Sequence, residues 1–156
     1  IGGDIEHPSL SDRLKGYKQA LENAKIPIKN SLIVTEAKYP DRVNGYNSIK
    51  SLLSKNKNVT AVFACNDAMA IGVLNYLNDN GYKVPTDISL IGFDDVDADL
   101  MLNPPLTTIR VPKIEMGVEA LRLLVNTLKN KKSLLKKILV PVELIERDST
   151  STIRKK

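Results

Sequence analysis

The chain has 156 residues, 42% of them hydrophobic and a formal net charge of +5, enough for one ordinary domain with a sizeable core. Aromatics make up 4% with no Trp, so the core is expected to be aliphatic. The single Cys65 excludes a disulfide framework, and a reducing cytoplasmic setting fits best. No run approaches the ~18 apolar residues of a membrane span and no signal peptide is evident, so no membrane partner is expected.

Ile1-Gly2-Gly3 reads as the tail of a strand, so an absent N-terminal part is expected. From Ser9 to about Lys25, Leu10, Leu14, Tyr17, Leu21 and Ala24 recur at helical spacing, with Ser9 or Ser11 as cap and Pro27 as stop. Ser31–Thr35 is a short β-branched strand. Glu36–Tyr46, with Pro40 and Gly45, reads as a loop, followed by a helix to about Asn56 that carries Ile49, Leu52 and Leu53 inward. Thr60–Cys65 is continuously apolar, as a parallel strand buried on both faces should be. Asn66 then caps a helix over Asp67–Asn80, Asp67 suits the helix dipole, and Gly81 ends it.

Ile88–Phe93 is another buried strand and Asp94–Pro105 a loop closed by Pro104-Pro105. Thr107–Val111 makes a short strand. Pro112 opens a helix to about Asn130 with an apolar face of Ile114, Val118, Leu121, Val125 and Leu128. Ile138–Arg147 is a last strand, with Pro141 marking an edge or bulge. Alternating strands and helices at this spacing predict an α/β fold, a parallel sheet flanked by helices on both faces. The basic stretches Lys129–Lys137 and Arg154–Lys156 read as a solvated turn and a frayed terminus, because the aromatic interleaving or helix-turn-helix of a nucleic-acid patch is missing.

The chemistry-bearing residues favour binding over catalysis. Asp95, Asp97 and Asp99 have the spacing of a calcium loop, but Leu100 stands where it needs Gly and Leu106 where it needs Glu. Asp94 as a phosphoacceptor lacks the acidic pair after an earlier strand. The only histidine, His7, sits in a polar turn, and there is no nucleophile elbow, phosphate loop or metal-ligand cluster. No enzyme, metal or cofactor is therefore expected, and Cys65, inside an apolar run, reads as a small buried hydrophobe. Arg13, Asn66 and Asp94 each follow a separate strand end, where open α/β sheets bind ligands. A guanidinium, an amide and a carboxylate together supply the donors and acceptors that sugar or nucleoside hydroxyls require.

FACNDAMAIGVL (Phe63–Leu74), VPTDISLIGFDD (Val84–Asp95) and NPPLTTIRVPKIEMG (Asn103–Gly117) resemble the effector-binding domain of LacI/GalR-family bacterial transcription regulators. RLKGY (Arg13–Tyr17) and LVPVELIERDST (Leu139–Thr150) match the same family in the same order. The resemblance implies a periplasmic-binding-protein-like (type I) lobe, incomplete here, closing on a small-molecule effector, expected to be a carbohydrate or nucleoside. By motif it carries the effector-contacting role onto Arg13, Asn66 and Asp94, with Ser9 and Tyr39 as further contacts. It implies homodimerisation through Ile71 and the Leu100, Met101, Leu102 stretch. Operator DNA would be met only through an N-terminal helix-turn-helix absent from this sequence.

Under that resemblance residues 1–106 form the C-terminal lobe and 107–132 cross into an N-terminal lobe that is otherwise missing. Residues 133–156 return to the first lobe. The helix after Pro112 is then expected to pack on something else: a second chain, a swapped partner or another piece of the same protein. The alternative reading, a periplasmic-type sugar-binding protein of a transport system, shares the fold.

Overall fold

Four helices and four short strands are the regular elements in a computed structural model that describes residues 1–129 and 137–152. The predicted basic turn and tail lie largely outside the described residues. Helix α1 spans Pro8–Asn23 and α2 Arg42–Lys55. Strand β1 is Ala61–Phe63, followed by α3, Asp67–Asp79, and β2, Ser89–Ile91. Then come β3, Thr108–Arg110, α4, Lys113–Lys129, and β4, Glu143–Ile145.

The strands lie in adjacent lanes. The amide of Gly2 donates to Val34 O at 2.7 Å, and that of Cys65 to Ile1 O at 2.8 Å. β1 pairs with β2 in parallel, and the far edge of β2 meets Thr107 and Arg110 through parallel bridges at Ile91 and Asp94. β3 then pairs with β4 antiparallel, Thr108 opposite Ile145 and Arg110 opposite Glu143. The expected parallel sheet is present, with one antiparallel lane at its edge.

Three expectations need correction. Ser31–Thr35 is no regular strand: Asn30–Leu32 is a 3₁₀ turn, and the lane is held only at Val34 and Ala37, because its neighbour offers just Ile1–Gly3 to pair with. Neither Ser9 nor Ser11 caps α1. His7 holds the cap position without a side-chain hydrogen bond, and Pro8, whose missing N–H would go unpaired there anyway, is the first helical residue. The loop read over Glu36–Tyr46 ends early, because the Asp41 carboxylate accepts from the Asn44 amide at 2.8 Å and starts α2 at Arg42.

The core forms between α2, α3 and the strands: Ile49, Leu52 and Leu53 against Met69, Val73 and Leu77, closed by Val62, Leu90 and Leu106. Each such side chain contributes about 1.5–3 kcal/mol when removed from water. α2 and α3 meet nearly backbone to backbone. A Cβ on Gly45 would lie 2.3 Å from Met69 O, and one on Gly72 2.0 Å from Arg42 O. Asn66 caps α3 by accepting from the Met69 amide at 2.9 Å, and Gly81 exits at φ +77°, both as expected.

Helix α4 differs from the others. None of its residues is buried, and Ile114, Leu121 and Leu128 are 81%, 61% and 71% exposed. Within this chain its apolar face is open, and the cover expected for it lies nowhere among the described residues. Among those residues, no helix is long and apolar enough to cross a membrane.

Candidate functional site

The turn after β2 carries the chemistry. Asp94 and Asp95 both adopt left-handed backbone, at φ +120° and +50°, a conformation costing non-glycine residues on the order of 1–3 kcal/mol each. The surroundings impose it. The Asp94 amide donates to Ile109 O at 2.9 Å, and the Lys113 ammonium bridges the carbonyls of Asp94 and Asp95 at 2.7 and 3.0 Å. Strain held in place at a strand end is the mark of a site whose geometry matters.

Arg13 reaches this turn from α1. Its guanidinium lies 3.8 Å above the Phe93 ring, donates to Cys65 O, and pairs with Asp94 Oδ1 at 3.2 Å. Burial raises the Asp94 carboxyl above its usual value. Arg13 opposes that shift, while the nearby Asp67 charge adds to it. Asn66, directly after Cys65, uses Oδ1 to cap α3 and donates Nδ2 to Pro40 O at 2.8 Å. The second N–H of its amide has no hydrogen-bond partner among the described residues. Arg13 and Asp94 thus touch directly, and Asn66 adjoins them through the Cys65 carbonyl.

The remaining candidates are placed less closely. Ser9 is exposed in the first turn of α1 with its hydroxyl 2.9 Å from His7 Nδ1. Tyr39 is 59% exposed just before Pro40, whose carbonyl Asn66 holds, with the Lys38 ammonium 5.4 Å above its ring. Leu100 and Met101 protrude from a 3₁₀ turn over Asp97–Met101, at 64% and 87% exposure, while Leu102 leans on the core. Ile71 is buried by this chain's own residues, 6% exposed.

A second constellation had no signal in the sequence. Both oxygens of Asp95 are taken, Oδ1 by Arg147 at 2.5 Å and Oδ2 by Arg110 at 2.6 Å. Burial works against that charge, but the hydrogen bonds from Arg147 and Arg110 outweigh it and hold the Asp95 carboxyl below its usual value. Arg147 also donates to Leu106 O at 2.7 Å. The amide of Thr107 donates to Ser149 Oγ at 2.7 Å, whose hydroxyl donates to Leu90 O at 2.7 Å. Together these contacts stitch the returning chain to β2 and to the Asp94–Asp95 turn. With Asp95 held by two arginines and Asp99 fully buried, the acidic run is not arranged as a cation loop.

A cavity of about 360 Å³ lies between α1 and the strands, walled by Leu14, Tyr17, Leu21, Val34 and Phe63. Of the candidate residues it touches only Arg13, and its walls are mostly apolar, so it belongs to the packing of α1 more than to the polar turn.

The comparisons with known proteins agree with this arrangement. A family model described as a periplasmic binding protein-like domain matches residues 1–150. The chain is 35% identical, over 98% of its length, to the HTH-type transcriptional repressor PurR of Haemophilus influenzae strain Rd, and covers 46% of that protein. It therefore spans about half the length of the curated relatives it matches. A transcriptional regulator CelR–cellobiose complex superposes with a TM-score of 0.89 at 30% identity, covering 96% of this chain and 45% of that one. A LacI family transcriptional regulator from Enterococcus faecium with bound ribose superposes with a TM-score of 0.83 at 28% identity, covering 98% and 56%. These relatives are regulators, not enzymes. The lane order, the polar turn beyond β2 and a match running from Ile1 to Thr150 place this chain in the periplasmic binding protein-like domain family, among the effector-binding domains of LacI/GalR-type regulators.

Proposed function

We propose that this chain is the ligand-sensing C-terminal lobe of a LacI/GalR-type transcriptional regulator in the cytoplasm. A small effector rich in hydroxyls, a sugar or a nucleoside, is held by Arg13, Asn66 and Asp94, with Tyr39 and Ser9 at the margin. The observation that carries the reading is the Arg13–Asp94 pair on a strained turn at the strand ends. A guanidinium and a carboxylate already hydrogen-bonded to each other present fixed donors and acceptors to a neutral polyol, and the Asp94 charge disfavours a strongly anionic one. The cellobiose and ribose complexes of similar proteins support a carbohydrate.

The excursion after Arg110, α4 included, belongs to a second lobe whose sheet covers the open face of α4, whereas Thr107–Arg110, expected to cross with it, pair with β2 and β4 in this one. Effector closing the two lobes shifts an equilibrium between forms that differ in operator affinity, and it does so only by its differential affinity for them. Operator DNA is read by a separate helix-turn-helix. Homodimerisation runs through Ile71 and the Leu100, Met101, Leu102 stretch. The test is thermal unfolding of the two-lobed parent across a panel of sugars and nucleosides, beside Asp94→Ala. A true effector at a hundred times its dissociation constant stabilises by about 2.7 kcal/mol. A ligand that shifts the parent and spares the variant supports the site, whereas equal shifts in both would place binding elsewhere.

A further inference from the structure

Beneath the candidate site lies a second pair of carboxylates that effector contact does not explain. Asp67, the first residue of α3, and Asp99, in the 3₁₀ turn, are both fully buried. They flank one backbone amide: Val96 N lies 3.3 Å from Asp67 Oδ2 and 3.0 Å from Asp99 Oδ2. The Thr108 hydroxyl donates to Asp67 Oδ1 at 2.7 Å, and Asp67 packs so closely on β2 that a Cβ on Gly92 would lie 2.1 Å from that oxygen. Asp99 Oδ1, buried, has no hydrogen-bond partner among the described residues. Two ionised carboxylates cannot share a single N–H in a dry interior, because neither their repulsion nor their lost hydration is offset.

We propose that Asp67 and Asp99 share one proton, and that Asp99 is thereby a positioning residue for the Asp94–Asp95 turn. The proton sits on the otherwise unpartnered Asp99 oxygen and is directed at Asp67. The pair then clamps Val96, the residue directly after Asp95. It also holds the far end of the loop, since the Asp99 carbonyl accepts from the Leu106 amide at 3.1 Å. The charged neighbours are few. Asp67 faces the group from α3. Arg147, just past β4, attracts it but is already paired with Asp95. Asp97, on the same turn, is exposed. Burial, then the hydrogen bond and charge of Asp67, push the Asp99 carboxyl up to about 7, against the pull of the Val96 amide and Arg147. The shared proton is therefore kept through mild acid and lost through neutrality, and its loss sets two buried charges against each other. The consequence for effector affinity rests on the function proposed above.

The test needs no ligand. Carbon-13 titration of the aspartate carboxyls in the 156-residue chain reads the proton directly, and amide exchange at Val96 and Leu106 reads the clamp. Asp99 is expected to titrate near neutrality. Protection of both amides should fall about tenfold from pH 6 to pH 8 beyond the intrinsic base-catalysed rise, because the opened turn releases the proton at an ordinary carboxylate value. In Asp99→Asn, whose carboxamide still donates to Asp67, that slope should vanish while protection persists. Asp99→Ala, with no donor, should lose protection at both pH values. Titration of Asp99 below pH 5 would overturn the proposal, as would an undiminished slope in Asp99→Asn or loss of protection there equal to that of Asp99→Ala. Since no readout involves an effector, a failed effector reading leaves this test intact.

Discussion

Asp94 and Asp95 are neighbours in sequence whose carboxyls shift in opposite directions, and the partners of each explain why. Asp94 has one guanidinium at 3.2 Å and a desolvated setting, so its proton is held more tightly than usual. Asp95 has two guanidinium groups at 2.5 and 2.6 Å, so its proton is lost more readily. Linkage fixes the signs. The Asp95 contribution is present above the unfolded carboxylate value and fades as pH falls through its lower folded value, whereas Asp94 costs stability as pH rises past its unfolded value. Asp95→Ala leaves Arg147, 12% exposed, without its carboxylate. It should cost about 1.5–3 kcal/mol, the scale of hydrogen bonds to charged groups, seen in urea unfolding at pH 7 and shrinking toward pH 3. Glu143→Ala removes the 3.5 Å pair with Arg110, whose ends are 49% and 68% exposed, and should leave the midpoint unchanged. Asp94 was legible in the sequence because it follows a strand. The partners of Asp95 were not, since they lie 15 and 52 residues away and no local pattern encodes such a pairing.

Among the elements, α3 was the most readable, because its cap, its acidic first residue and its glycine exit all agree with its apolar content. The start of α2 was misread for a physical reason. Gly45 looks like a breaker when taken locally, yet it sits where the helices touch, opposite Met69 O. The short strands were read too long, because a continuous apolar run marks burial while the paired ladder covers only three residues of it. Close helix contact gives the prediction at this scale. Gly72→Ala would put a Cβ 2.0 Å from Arg42 O, so the helices must part. A loss of about 1–3 kcal/mol, the usual range for overpacking, should appear as an earlier denaturation midpoint. Gly117→Ala, with nothing near its added Cβ and a helical position, should stabilise α4 slightly.

For the whole molecule, the family blocks made the lobe legible from sequence, whereas what faces α4 was not, because an apolar stripe states that it is covered without stating by what. On this chain alone Ile114, Leu121, Leu124 and Leu128 are all more than half exposed, and contiguous apolar surface of that kind drives association. The isolated chain should therefore self-associate with rising concentration. Replacing Leu121, Leu124 and Leu128 together with Gln should suppress that in sedimentation velocity while leaving the melting transition of the lobe in place, since α4 buries nothing here. The same triple replacement in the two-lobed parent should be strongly destabilising, and a parent that tolerated it would refute a covering second lobe.

The antiparallel pairing of β3 with β4 brings the chain back to the point at which it left. Arg110 lies opposite Glu143, so Val111 through Val142 amounts to an insertion carried at the tip of a hairpin. Seen from the sheet, that excursion is separable except for Lys113, whose ammonium braces the Asp94 and Asp95 carbonyls and would have to be supplied anew. An Asn-Gly turn joining the two strands has the backbone twist such a hairpin needs. It would convert the lobe into a single uninterrupted module that keeps Arg13, Asn66, Asp94 and the Asp67–Asp99 pair in one contiguous fold.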